Sequence, residues 1–253
     1  MEIRMGGHEF TWKYYAHYFD VDAHRRVTPF ALLRYFEDIA IQQSEDVGVG
    51  IDYYNEEQVA WLLSRWDVRI SALPRHREEI SVLTQPMQMR GFLANRRFSI
   101  HGADGTIMVE ADSQWIFLDA ARKRPRRITE ELYSRYGVHG ESDGVPSPRS
   151  PRPVEQVDKQ REFSVRMSDI DTNGHVNNIR YVEWAFETLP PEMVRASELR
   201  RLLVQYKKEV RYGVDVTAHM SLSEEDGFTV ARHGISSGEQ LACALESHWQ
   251  SAR

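Results

Sequence analysis

Ser168-Asp169-Ile170-Asp171-Thr172-Asn173-Gly174-His175-Val176-Asn177-Asn178-Ile179-Arg180-Tyr181-Val182-Glu183-Trp184 carries the reading of this chain. Asp171, Asn173 and His175 fall at alternate positions in a polar, glycine-bearing segment that runs into an apolar helical pattern. On an extended segment, alternate spacing turns three side chains to one face. A carboxylate, a carboxamide and an imidazole would then sit beside a helix start, with its unsatisfied N–H groups and positive dipole end. Those parts suit polarising a carbonyl and activating a water. The same pattern occurs earlier as Tyr18-Phe19-Asp20-Val21-Asp22-Ala23-His24-Arg25-Arg26-Val27-Thr28-Pro29. Asp20 aligns with Asp169, Asp22 with Asp171 and Val27 with Val176, but His24 stands for Asn173 and Arg26 for His175. The chain therefore reads as two copies of one scaffold, with a single site in the second.

Each copy reads strand, loop, helix, strands. In the first, Glu9 to Phe19 is aromatic-rich and strand-like, Thr28-Pro29 is an N-cap followed by a first-turn proline, and a helical period runs to about Val47-Gly48. Strand patterns follow near 59–70, 79–89, 93–101 and 106–119, with an Ala103-Asp104-Gly105 hairpin turn and a short helix over 129–136. In the second, a strand near 161–167, a helix over 177–188 and strands near 198–210, 213–223, 227–234 and 239–250 are predicted. Pro, Ser and Gly crowd the segment between them. The expected division is an N-terminal repeat over 1–139, a linker over 140–159 and a C-terminal repeat over 160–253. Pattern alone supports α+β.

The quoted motif, Asp-x-Asn-x-His-Val-Asn-Asn-x-x-Tyr-x-x-Trp, closely resembles the active-site segment of acyl-acyl-carrier-protein thioesterases. Gln205-Tyr206-Lys207-Lys208-Glu209 is similar to that family's Tyr-Arg-Arg-Glu segment, and 209 − 175 = 34 fits its spacing. Val59 through Trp66, and Gly91 through Ile128, resemble its N-terminal strands. The resemblance implies a tandem double hot-dog, two long helices each wrapped by an antiparallel sheet, that hydrolyses fatty acyl thioesters of acyl carrier protein. It implies Asp171, Asn173, His175 and Glu209 as catalytic residues and an acyl pocket in the first repeat, with Trp61 and Phe92 as lining residues. Asn177 and Asn178 are candidates for substrate contact, although Asn is also a good helix cap. Many family members carry a cysteine directly after the distal Glu. Here that position is Val210, so a thiol nucleophile is excluded there. Cys243 reads as core, in Leu241-Ala242-Cys243-Ala244-Leu245. Competing readings are an acyl-CoA thioesterase, a hot-dog hydratase or dehydratase, and an inactive acyl-binding protein.

Bulk properties narrow the field. The chain has 253 residues, long enough for a sizeable core, and a net charge of −6, which argues against a general nucleic-acid binder. Against that acidity, Arg122, Lys123, Arg124, Arg126 and Arg127 form a cationic run that could steer docking of an acidic carrier protein, or be a solvated turn. One cysteine precludes a disulfide framework or a cysteine-ligated metal site within one chain and fits a reducing cytoplasm. The first residues lack a signal-peptide core, and no apolar run nears the ~20 residues that span a bilayer. Phosphate-loop, dinucleotide and zinc-ligand spacings are absent, so no cofactor or metal is expected; besides the carrier protein, a second copy of the chain, in a homodimer, is a candidate partner.

Overall fold

Thr28 begins the first long helix as its sequence demands. Its side chain accepts a hydrogen bond from the Ala31 amide (3.2 Å), and Pro29 takes the first helical position, where no N–H is needed. The computed structural model describes residues 6–139 and 147–252. Residues 140–146, within the segment read as a linker, lie outside the described residues. The chain divides into two compact units, Met1–Ser64 with Ser71–Pro148, and Arg65–Ile70 with Arg149–Arg253.

The first unit contains β1 (Phe10–Tyr15), α1 (Pro29–Asp46), α2 (Ile51–Glu56), β2 (Val59–Ile70), β3 (Glu79–Arg90), β4 (Leu93–His101), β5 (Ile107–Asp119), β6 (Arg124–Pro125) and α3 (Glu130–Tyr136). Its strands run in the order β1-β3-β4-β5-β2, with β6 beside β5. Helix α1 lies against β1 and β3 and buries Leu32, Leu33, Phe36 and Ile39 on its sheet-facing side. Strand β3 alternates as a half-buried strand should, with Ile80, Val82 and Thr84 inward. The alternation breaks at Pro86-Met87, where the pairing with β4 slips by a bulge; proline cannot donate to the ladder. The Gly102–Gly105 turn closes between β4 and β5 with a 2.9 Å bond from the Gly105 amide to the Gly102 carbonyl.

The second unit contains β7 (Lys159–Ser164), α4 (Asn178–Phe186), α5 (Pro191–Ala196), β8 (Ser197–Tyr206), β9 (Asp215–Glu225), β10 (Phe228–Ser237) and β11 (Gln240–Ser251). Its order is β8-β11-β10-β9-β7, and Arg65–Ile70, the second half of β2, pairs with β8, which is why those residues group here. Helix α4 packs on β9, β10 and β11. A helix laid on its own antiparallel sheet, made twice, is the tandem double hot-dog, α+β. The second helix is shorter than expected: it ends at Phe186 rather than 188, because the Thr188 hydroxyl donates to the Ala185 carbonyl (2.6 Å) and Pro190-Pro191 cannot extend it.

The segment entering the second unit is held by charge. Arg152 donates through its backbone N–H and Nε to Glu246 Oε2 (both 3.0 Å) and through Nη2 to Glu225 (2.6 Å). Both carboxylates are held below their ordinary range, with Arg152 one of the causes at each. Arg232, then Ser223 and Arg152, place Glu225 at about 2, while burial at Glu246 is outweighed by His248 and Arg152. Groups with depressed folded pKa values stabilise fully above the unfolded carboxylate range near 4.3, and that stabilisation is lost as pH falls through the folded values. Arg152→Ala should cost about 1–2 kcal/mol at neutral pH, since Arg152 is half exposed. In urea titrations its gap from wild type should shrink as pH falls from 6 towards 3. A gap independent of pH would show that the carboxylates do not depend on Arg152.

Candidate active site

The segment from Ile170 to Val176 is a closed turn, not the extended stretch that alternate spacing suggested. Ile170 and Val176 form an antiparallel bridge, the Asp171 amide donates to the His175 carbonyl (2.8 Å), and the Gly174 amide donates to the Asp171 carbonyl (3.1 Å). The Asp171 carboxylate organises the turn from inside. Its Oδ1 accepts from the amides of Asn173 (2.8 Å) and His175 (3.4 Å), and its Oδ2 faces Asn173 Nδ2 at 3.5 Å. Asp side chains bond backbone amides two residues on in this way and so compete with extended structure. Gly174 sits at φ +76°, with open space where a Cβ would be, so its role is conformational.

The first unit repeats this construction. Asp22 Oδ1 accepts from the amides of His24 (2.8 Å) and Arg26 (2.9 Å), Val21 bridges Val27, and Arg25 takes the left-handed position at φ +61°. Arg26 Nε turns back onto Asp22 Oδ2 (3.2 Å), where the second unit has His175 directed elsewhere. The shared Asp therefore builds the turn in both copies, and the chemistry differs through what the turn presents.

His175 meets Glu209. Nε2 of the imidazole lies 3.0 Å from Glu209 Oε2, with the histidine side chain 15% and the glutamate 42% exposed, so the pair is reachable by water. Glu209 is not on a strand as the sequence suggested. Strand β8 ends at Tyr206, because the amides of Lys207 and Lys208 both turn to the Ala242 carbonyl (2.8 and 3.1 Å), which ends the ladder. The loop that follows meets the turn where the Val176 amide donates to the Val210 carbonyl (2.8 Å).

Helix α4 starts beside this pair. Asn177 is its N-cap, with Oδ1 accepting from the Ile179 amide (3.0 Å), and its carbonyl accepts from Arg180 (2.9 Å). Asn177 thus serves the helix, and Asn178 opens its first turn. Cys243 is fully buried on β11, and burial pushes its thiol well above the ordinary range, against thiolate formation. Cys243→Ser should keep turnover at this site within about twofold while lowering stability by about 1–3 kcal/mol, the cost of a poorly satisfied buried hydroxyl. Loss of turnover in a folded variant would make Cys243 part of the chemistry.

The remaining sequence candidates lie in the first unit. Trp61 packs on Phe117 (ring centroids 4.8 Å apart) beside an apolar cluster of Val49, Met89, Ala94, Ile128 and Leu132. Phe92 stands in the β3–β4 turn, 44% exposed, rather than in that cluster. The cationic run spans the β5–β6 turn (Arg122, Lys123), β6 itself (Arg124) and the residues after it (Arg126, Arg127). Arg122 pairs with Asp119 (3.3 Å) and Arg126 reaches Glu57 (3.8 Å), while Lys123, Arg124 and Arg127 are exposed. Tyr181, quoted in the motif, had no role on the sequence; its place beside the Glu209 loop appears only in the fold, where its hydroxyl accepts from the Val210 amide (3.1 Å).

Two family models cover most of the chain: the acyl-ACP thioesterase N-terminal domain over residues 7–136 and the C-terminal domain over residues 153–251. The chain belongs to the acyl-ACP thioesterase family. It is 23% identical over 248 residues to the chloroplastic oleoyl-acyl carrier protein thioesterase 2 of Arabidopsis thaliana, covering 89% of this chain and 66% of that relative, so it spans just under two thirds of the relative's length. A solved structure from Lactobacillus plantarum, assigned as an oleoyl thioesterase, superposes with a TM-score of 0.92 at 25% identity over 98% of both chains. An acyl-ACP thioesterase from Bacteroides thetaiotaomicron shares the fold, with a TM-score of 0.82 at 24% identity over 96% of this chain and 98% of its own. Among the described residues, no helix is long and apolar enough to cross a membrane.

Proposed function

We propose that this acyl-ACP thioesterase family member hydrolyses fatty acyl thioesters of acyl carrier protein to free fatty acid and carrier thiol, ending chain elongation in a reducing, cytoplasmic compartment. The observation that carries this reading is the 3.0 Å pairing of His175 Nε2 with Glu209 Oε2 at the start of α4. In this reading Glu209 takes a proton from water as the water attacks the thioester carbonyl. Such a base contributes on the order of 10²–10⁴ in rate. The amides of Ile179 and Arg180 are engaged by Asn177, so the Asn178 amide is the first-turn donor assigned to the developing oxyanion. Asn173 turns its Nδ2 towards Asp171 and keeps Oδ1 to accept from the water. His175 orients Glu209 and passes the proton on to the departing thiolate. The products are one carboxylic acid and one thiol, and no covalent intermediate is required.

The first unit supplies the acyl site in this reading. The Trp61–Phe117 cluster supports it, and Phe92 would contribute only from the surface turn. The exposed Arg124 and Arg127 are the cations best placed to meet an acidic carrier, since Arg122 and Arg126 already pair with Asp119 and Glu57. Reversing Arg124 and Arg127 to Glu should lower kcat/KM for acyl carrier protein esters about tenfold at low salt, because steering acts on encounter. The deficit should shrink towards 1 M salt, where the Debye length is about 3 Å, and a small carrier-free thioester should be unaffected. Equal kcat/KM for variant and wild type would place docking elsewhere.

The test of the function is thiol release from a panel of acyl carrier protein esters of increasing chain length, beside the matched CoA esters. Free acid released with a preferred length and faster from the carrier protein is expected. No release from any ester would overturn the reading, and faster turnover of CoA esters would reassign the carrier.

A further inference from the structure

Two hydrogen bonds, both on Val210, fix the loop that carries Glu209. The Val210 carbonyl accepts from the amide of Val176, the residue after His175 (2.8 Å), and the Val210 amide donates to the Tyr181 hydroxyl on α4 (3.1 Å). That amide belongs to the peptide unit that follows the Glu209 α-carbon. Holding it removes a backbone torsion through which the carboxylate could swing away from His175. The first unit builds the same junction with different residues. There the Val27 amide donates to the Pro74 carbonyl (2.8 Å), so Pro74 stands where Val210 stands and Leu73 where Glu209 stands. Leu32, three residues into α1 from Pro29, stands where Tyr181 stands, three residues into α4 from Asn178. Proline has no N–H to give and leucine no hydroxyl to receive it. The carboxylate, the amide donor and the phenol are therefore missing together from the copy that lacks the His–Glu pair, although its turn, bridge and helix are all formed. The scaffold does not need the tyrosine–amide bond.

We propose that Tyr181 is a positioning residue, whose hydroxyl holds the Val210 amide and so sets the Glu209 carboxylate against His175. This rests on the proposed hydrolase reading of the same site. The phenol is well suited to that role, because it is 3% exposed and burial raises its pKa, so it stays neutral. Its ring is held independently of the hydroxyl, edge-on to Trp184 (5.7 Å) and Tyr206 (6.0 Å), so removing the oxygen alone leaves the packing in place. The bond uses the backbone of residue 210, so any residue but proline could supply the donor there.

The test is a cycle of Tyr181→Phe, Glu209→Gln and the double variant, assayed on one acyl carrier protein ester. Tyr181→Phe should lower kcat about 10- to 100-fold and change KM less than about twofold, because the base is displaced and substrate binding is not. On the Glu209→Gln background, where there is no base left to position, the same change should cost less than about threefold. The Val210 amide, followed by hydrogen exchange, should lose protection in Tyr181→Phe. An unchanged kcat in Tyr181→Phe, or the same loss on both backgrounds, would overturn the proposal while wild-type turnover left the hydrolase reading standing. Inactive wild-type protein would instead remove that reading.

Discussion

Glu209→Gln is expected to lower kcat on an acyl carrier protein thioester by about 10²–10⁴, the usual contribution of a positioned base. The amide nearly matches the carboxylate in shape, so the contact with His175 Nε2 is kept in outline but no proton can be accepted. Glu209 is 42% exposed, so the substitution should leave the thermal midpoint close to that of wild type. Parallel measurement of kcat and of thermal unfolding checks both parts. A folded variant with near-wild-type turnover would remove Glu209 from the chemistry.

The second large effect is expected at Asp171. Its carboxylate accepts both backbone amides that shape the turn and faces Asn173 Nδ2, so Asp171→Ala releases Asn173 and His175 together. A displacement of about 1 Å in a catalytic group can cost 10²-fold, so a loss of at least that size is expected. Asp171→Asn keeps one oxygen for the amides of Asn173 and His175 and should recover part of the activity. Combining Asp171→Ala with His175→Ala should lose little more than either alone, since the two act as a unit. Multiplicative losses would mean that Asp171 acts separately from His175. The first unit shows why Asp171 is assigned to geometry: Asp22 makes the same turn there, with Arg26 in the place of His175.

Much of the fold was legible because its signals are local. Strands expected near 59–70 and 93–101 appear as Val59–Ile70 and Leu93–His101, although only their second halves alternate; the strand expected near 79–89 appears as Glu79–Arg90, where alternation from Ile80 to Thr84 is regular. Thr28-Pro29 likewise fixed the start of α1. Two short helices were not legible. Helix α2 has no cap of its own in sequence, since its Ile51 amide is received by Glu45 from the preceding helix (2.8 Å). No helix was expected between 188 and 198, yet Pro191 opens α5 in the first helical position, where no N–H is needed.

Of the candidate site, the residue types were legible and the geometry was not. The types at 171, 173, 175 and 209 could be read from the motif. Their arrangement depends on a turn that the Asp171 carboxylate folds upon itself, and on a loop that leaves β8 early because two amides share the Ala242 carbonyl. Tyr181 was hidden for a related reason. Its partner is a backbone amide 29 positions away, which carries no side-chain signature in the sequence.

Direct attack by water, assisted by His175 and Glu209, is tested most directly by acid-quenched single turnovers of wild-type enzyme with an acyl carrier protein ester, read by intact-protein mass. The expected result is free fatty acid rising in one phase while the protein mass stays unchanged at every time point. A transient gain of one acyl group that decays into product would contradict the account and place a covalent nucleophile in this site.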